Sequence, residues 1–412
     1  MSVTAGAQAA IALDEAAIGR WRDRIRQTTF ANYHFEMGIA LLMGGDAQAA
    51  LGALQRAMEI QPDLAIVYPL LVLAEERLGH ADAARQRQAD LQARAPALWL
   101  DGCAALAARL LKDGKAEGGG WARRVADQAP ASDIRVPALA GLAAQVQGRA
   151  GDALAAWAHA LTLGTDIPAA SAEDVATALA DVSNTLFAYW DDGQVQRTEL
   201  ALAAAQVASR LVPTRPDLRF QVIRCLVRLV RPQEALPEIE RYLADSGSGG
   251  EDKNLLHQWG MRDLCAGDLA AAEEHFARCA AIDTGWAVPE SYRAVVALRR
   301  GDAAQAMAHA QAGCQREPRN YFANQCRGLV EFETGALAQA VASLRQASAQ
   351  APNQPLTKLL LAMVLDGAGQ SQEAVATYRE ANQEGGPLMQ RQLALYPAGY
   401  QERLARLAAR AG

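Results

Sequence analysis

Hydrophobic and polar positions along the chain recur with a helical period, and the helical stretches come in pairs. In residues 321–354, Phe322, Cys326, Leu329, Val330 and Phe332 mark one apolar stripe. Gly335 interrupts it, Leu337, Ala340, Val341, Leu344 and Ala347 mark a second stripe, and Pro352 closes it. A helix, a glycine stop, a second helix and a proline predict one helical hairpin. A single hairpin cannot bury both its faces, so it requires copies of itself on either side.

The copies are present. Units begin near Ala31, Ala65, Trp99, Ile134, Val182, Pro216, Lys253, Ala287, Tyr321 and Pro355, most of them 34 residues apart, as from 321 to 355. A small residue recurs where the two helices would cross, at Gly38, Gly141, Gly260, Ala294, Gly328 and Ala362. Close ridge-into-groove packing leaves no room there for a longer side chain. Gly-Asp recurs at 45–46, 151–152, 267–268 and 301–302. In such a pair glycine takes the left-handed conformation that ends one helix, and aspartate caps the next.

This pattern resembles the tetratricopeptide repeat (TPR) family over about residues 31–386. The resemblance implies an all-α fold, a right-handed α-α superhelix (TPR solenoid) with N- and C-terminal capping helices. Residues 1–30 then form a tail and capping helix, and 31–245 a degenerate N-terminal array. A Gly/Ser loop at 246–252 leads into four regular repeats at 253–386, and 387–412 supply closing helices. Two irregularities stand out. Gly118, Gly119 and Gly120 fall in the second helix of repeat three, which is expected to start late or be short. The step into the fifth unit is 48 residues, from 134 to 182, which predicts an extra or lengthened helix near 168–190. Tyr189 there replaces the small residue at the crossing.

Composition narrows the function. The net charge of −6 disfavours a general nucleic-acid surface, which needs clustered Lys and Arg. No run of eighteen apolar residues exists to span a membrane. The N-terminal residues lack the basic start of a signal peptide, and six cysteines without Cys-x-x-Cys spacing read as buried free thiols. These features point to a cytoplasmic address.

No catalytic signature emerges. There is no His-Glu-x-x-His, Gly-x-Ser-x-Gly, phosphate loop or Gly-x-Gly-x-x-Gly, and the six histidines are scattered. The expectation is no enzyme, no metal and no cofactor. Stacked hairpins instead offer a concave groove lined by their first helices. The TPR resemblance places partner-facing residues at Asn32, Phe35, Ile39 and Met43 in repeat one, an apolar strip suited to an amphipathic helix. In repeat six it places Phe220, Arg224, Val227 and Arg228. Residues 210–231 hold six arginines and one acid, Asp217, and Arg224, Arg228 and Arg231 follow one helical face. That ridge suits an acidic segment held by bidentate pairs. Repeats eight and nine add Arg299, Phe322, Gln325, Leu329 and Phe332.

The function expected is a non-catalytic scaffold or adaptor that binds an acidic or amphipathic segment of another protein. It would bind no nucleic acid and insert in no membrane, and a homo-oligomer remains compatible. Two alternatives are an accessory subunit of a separately encoded enzyme, such as a glycan- or envelope-modifying transferase, and a ligand-sensing repeat protein hinged at residues 246–250.

Overall fold

The computed structural model describes residues 30–164, 169–188, 194–246 and 251–411, excepting the side chains of 169–171 and 194. The capping helix expected within 1–30, most of the Gly/Ser loop and Tyr189 lie outside the described residues. Among the described residues the chain forms α-helices and no strand. It divides into two compact units, one of residues 1–148 and 166–175, the other of residues 149–165 and 176–412.

The first unit contains α1 (Ala31–Met43), α2 (Ala47–Ile60), α3 (Val67–Arg77), α4 (Ala81–Arg94), α5 (Pro96–Lys112), α6 (Gly118–Gln128) and α7 (Arg135–Val146). The second contains α8 (Ala150–Ala160), and α9 (Ala169–Ala188) has residues in both. The second unit continues through α10 (Gln194–Leu211), α11 (Pro216–Arg228), α12 (Pro232–Ser246), α13 (Lys253–Ala266), α14 (Leu269–Ile282), α15 (Ala287–Arg300) and α16 (Ala303–Arg316). It ends with α17 (Tyr321–Glu333), α18 (Leu337–Gln350), α19 (Pro355–Gly367), α20 (Ser371–Glu384), α21 (Pro387–Leu393) and α22 (Ala398–Ala411).

Consecutive helices pair as hairpins, and the small residues explain how closely. A Cβ added at Gly260 would lie 2.7 Å from the Phe276 ring, and one at Gly328 would lie 2.9 Å from Leu344. The larger residue on the second helix therefore occupies the space that glycine leaves open. Three of the expected Gly-Asp turns form. Gly45, Gly267 and Gly301 take positive φ, and Asp46, Asp268 and Asp302 accept from Ala49, Ala271 and Gln305 N–H at 3.0, 3.1 and 2.9 Å.

The fourth expected turn, at Gly151-Asp152, is corrected. Gly148 takes the left-handed conformation (φ 71°), α8 has already begun at Ala150, and Asp152 pairs with Arg149 in the first turn. The first glycine available after α7 ends that helix, three residues before the pair singled out. The three glycines of repeat three form the opening turn of α6, which starts late and is 11 residues long.

One buried ion group ties the first unit together. Arg135, at the start of α7, reaches Asp101 of α5 at 2.5 Å and Asp133 at 2.6 Å. In the second unit a continuous apolar core runs from Leu264 to Leu407 and takes in Met389, Leu393, Tyr396 and Leu404 from the C-terminal helices.

Candidate functional site

In the second unit the first helix of one hairpin packs on the first helix of the next, α11 on α13, α15 on α17 and α17 on α19. On α11, Arg224 and Arg228 stand one turn apart, so they share a face. Both guanidiniums lie over a single ring, Phe187 of α9, at 4.3 and 3.2 Å from its centroid. Cation–π attraction favours this geometry, and it strengthens away from water. A buried polar chain fixes Arg224. Its Nη1 donates to Gln221 Oε1 at 3.0 Å, Gln221 Nε2 donates to Ser183 Oγ at 3.1 Å, and the Ser183 hydroxyl donates to Ala201 O at 2.7 Å. Arg228 donates to the Phe187 carbonyl.

Burial acts on these charges. It lowers the Arg228 pKa to about 10, and the neighbouring Arg224 charge pushes the same way. It lowers that of Arg224 too. Among the described residues no carboxylate pairs with Arg224. The same holds for Arg299, whose Nη1 donates to Leu264 O at 2.7 Å and so satisfies a carbonyl at the end of α13. Arg228 lies within electrostatic reach of Tyr292 on α15 and Tyr321 on α17, whose phenols burial raises above their ordinary pKa. Guanidinium and phenol groups are thus brought within electrostatic reach of one another around Arg228.

The expected three-arginine ridge is corrected to two. Arg228 is the last residue of α11, and Val230 turns the chain with φ 57°. Arg231 therefore leaves the face and is neutralised by Glu199 at 2.5 Å, with Glu234 at 3.8 Å. Phe220 tilts onto Tyr242, 5.9 Å between centroids, and Val227 is buried.

The residues expected from repeat nine are covered by the chain itself. Gln325 is 2% exposed, donating to the Tyr396 hydroxyl at 2.7 Å and accepting from Thr357 Oγ1 at 2.7 Å. Leu329 is fully buried, Phe322 packs on Tyr292, and Phe332 is buried beneath Arg403, 5.0 Å from its ring centroid. Beside them, His257 of α13 sits among Trp286, Tyr292 and Phe276, at 5.1, 5.5 and 6.0 Å. Its Nδ1 is buried with no hydrogen-bond partner among the described residues, and burial pushes its pKa down to about 4.

In the first unit, Phe35 and Ile39 are buried, with Arg109 over the Phe35 ring at 5.8 Å, while Asn32 and Met43 are exposed. The apolar strip of repeat one is therefore only partly presented. Among the described residues no group of His, Cys, Asp or Glu is arranged to hold a metal ion, and no helix is long and apolar enough to cross a membrane.

No protein-family model matches the chain, and no curated protein matches it. Among solved structures it is similar to yeast Tom70, with 12% identity and a TM-score of 0.38 over 96% of this chain and 93% of that one. It is similar to a thermophilic TPR protein of Thermus thermophilus, with 23% identity and a TM-score of 0.39 over 47% of this chain and all of the other. A tetratricopeptide repeat protein from Parabacteroides merdae shares 14% identity, with a TM-score of 0.40 over 81% of this chain and 98% of that one. The 34-residue hairpins and their glycine crossings decide the fold. It is that of the tetratricopeptide repeat.

Within the TPR frame, sequence reading missed Phe187, Tyr292, Tyr321, Val230 and Arg391. Tyr292 is the sixth residue of α15 and Phe187 the nineteenth of α9, and neither is a position that the TPR resemblance turns toward a partner. Val230 had a usable signal. Aligned with the other units, it stands where Gly45, Gly267, Gly301, Gly335 and Gly369 make the turn. Arg391 lies in the segment expected only to close the array, yet its Nη1 reaches Leu229 O at 3.5 Å, just past the end of α11.

Proposed function

We propose that this protein is a non-catalytic scaffold that holds an acidic segment of a partner protein against Arg224 and Arg228. The observation that carries the reading is Arg224. Its half-buried guanidinium is held by Gln221 and the Phe187 ring, and no described carboxylate neutralises it. Holding a cation partly out of water is costly unless an anion compensates it, so a partly exposed, uncompensated one suits an incoming carboxylate. The free cysteines fit a reducing, cytoplasmic setting.

The test is fluorescence anisotropy of a fluorescein-labelled hexaglutamate peptide titrated with the full chain at low and high salt. Binding that weakens with salt and disappears in Arg224→Glu supports the reading. Salt-independent binding, or equal binding by wild type and Arg224→Glu, overturns it.

A further inference from the structure

We infer that Arg391 of the C-terminal helix α21 forms a second wall of the same anion site, so that an acidic segment on Arg224 and Arg228 is clamped from the C-terminal side. This rests on the reading above and adds to it a residue, a geometry and a requirement on the partner.

The end of α11 has an unusual backbone. Leu229 directly follows Arg228 and directly precedes Val230, whose φ of 57° is unusual for a β-branched residue. The other positive-φ turns among the described residues use glycine. Strain kept at one turn of an otherwise regular array is a mark of a position that does something beyond turning the chain. The Leu229 carbonyl at this turn is the group that Arg391 meets, across 162 residues of sequence.

The backbone carrying Arg391 is firmly placed. Met389 and Leu393 on the same short helix belong to the buried core, and Tyr396 accepts the hydrogen bond from Gln325. The Arg391 side chain is not similarly satisfied. It is exposed, and a single 3.5 Å hydrogen bond, at the outer limit of the useful range, is its one polar contact among the described residues. A guanidinium has five donors, so most remain available for a carboxylate. The clamp therefore consists of two arginines fixed on α11 and one delivered by α21.

Charge complementarity identifies the occupant as a short acidic run of a partner protein with carboxylates at more than one position. A lone carboxylate would satisfy the α11 side and leave Arg391 on its carbonyl.

The labelled hexaglutamate peptide and the full chain test this directly. Arg391→Glu is expected to weaken binding about tenfold, the size of one charge-assisted contact. Arg391→Lys, which keeps the charge, is expected to retain most of the affinity, and thermal midpoints of both variants check the fold. Two results overturn the inference. One is wild-type binding by Arg391→Glu while Arg224→Glu binds nothing, which leaves the α11 site standing and makes Arg391 only a helix cap. The other is equal loss in the Lys and Glu variants together with a fall in thermal midpoint. If Arg224→Glu itself binds as wild type does, the underlying reading fails instead.

Discussion

Gln325 donates a hydrogen bond to the Tyr396 hydroxyl at 2.7 Å, across 71 residues of sequence. A side chain at a groove-lining place of its repeat is thereby spent on the chain's own C-terminal segment. Thr357 completes the group by donating to the other end of the same amide. The relationship covers the first-helix face of repeat nine with the chain's own C-terminal segment.

Tyr396→Phe removes the acceptor and leaves the Gln325 amide buried without it. The expected cost is roughly 1–3 kcal/mol, the penalty of an unsatisfied buried donor. It is read as a lowered thermal midpoint of the full chain, with hexaglutamate binding at α11 retained.

Val230→Gly removes the left-handed strain at the end of α11. It is expected to stabilise the protein by about 1 kcal/mol, since glycine takes that conformation without the Cβ clash. A denaturant titration of wild type and variant checks the sign.

Two glycines should respond in opposite directions to alanine. At Gly260 the added Cβ meets the Phe276 ring at 2.7 Å, so Gly260→Ala should destabilise by roughly 1–3 kcal/mol through overpacking. Gly52 lies inside α2 with nothing within 4 Å of an added Cβ, and Gly52→Ala should stabilise by about 0.5–1 kcal/mol. Thermal melts of both variants decide.

His257 gives a pH dependence with a definite sign. Its folded pKa, about 4, lies below the ordinary 6.5, so the unfolded chain binds the proton more readily. The contribution is fully present above pH 6.5 and is lost as pH falls toward 4. In His257→Phe the loss of thermal midpoint between about pH 7 and about pH 5 should be smaller than in wild type.

The repeat architecture was legible because its determinants are local and recur. Glycine crossings, Gly-Asp turns and apolar stripes each act within one hairpin, so a sequence period carries them. The Gly151-Asp152 misplacement shows the limit of that reading, since two nearby glycines compete and only the chain geometry selects Gly148. Arg224, Arg228 and Arg299 were named as groove places by the TPR resemblance alone, and Arg299 is held on the Leu264 carbonyl. Phe187, which receives both guanidiniums, was not, because it comes from the irregular helix α9 where the period breaks. The covering of Gln325 and the approach of Arg391 to Leu229 were also out of reach. Both depend on where the C-terminal segment returns after the last repeat, which no local pattern encodes.

In the proposed arrangement the accessible anion site lies on α11 and is closed by α21. Hydrogen–deuterium exchange of the full chain with and without hexaglutamate tests it most directly. The clamp predicts added protection in the residues flanking Arg224–Val230 and in α21, with none in α1 to α7. Protection confined to α1 and α2, or spread evenly over the chain, would contradict it.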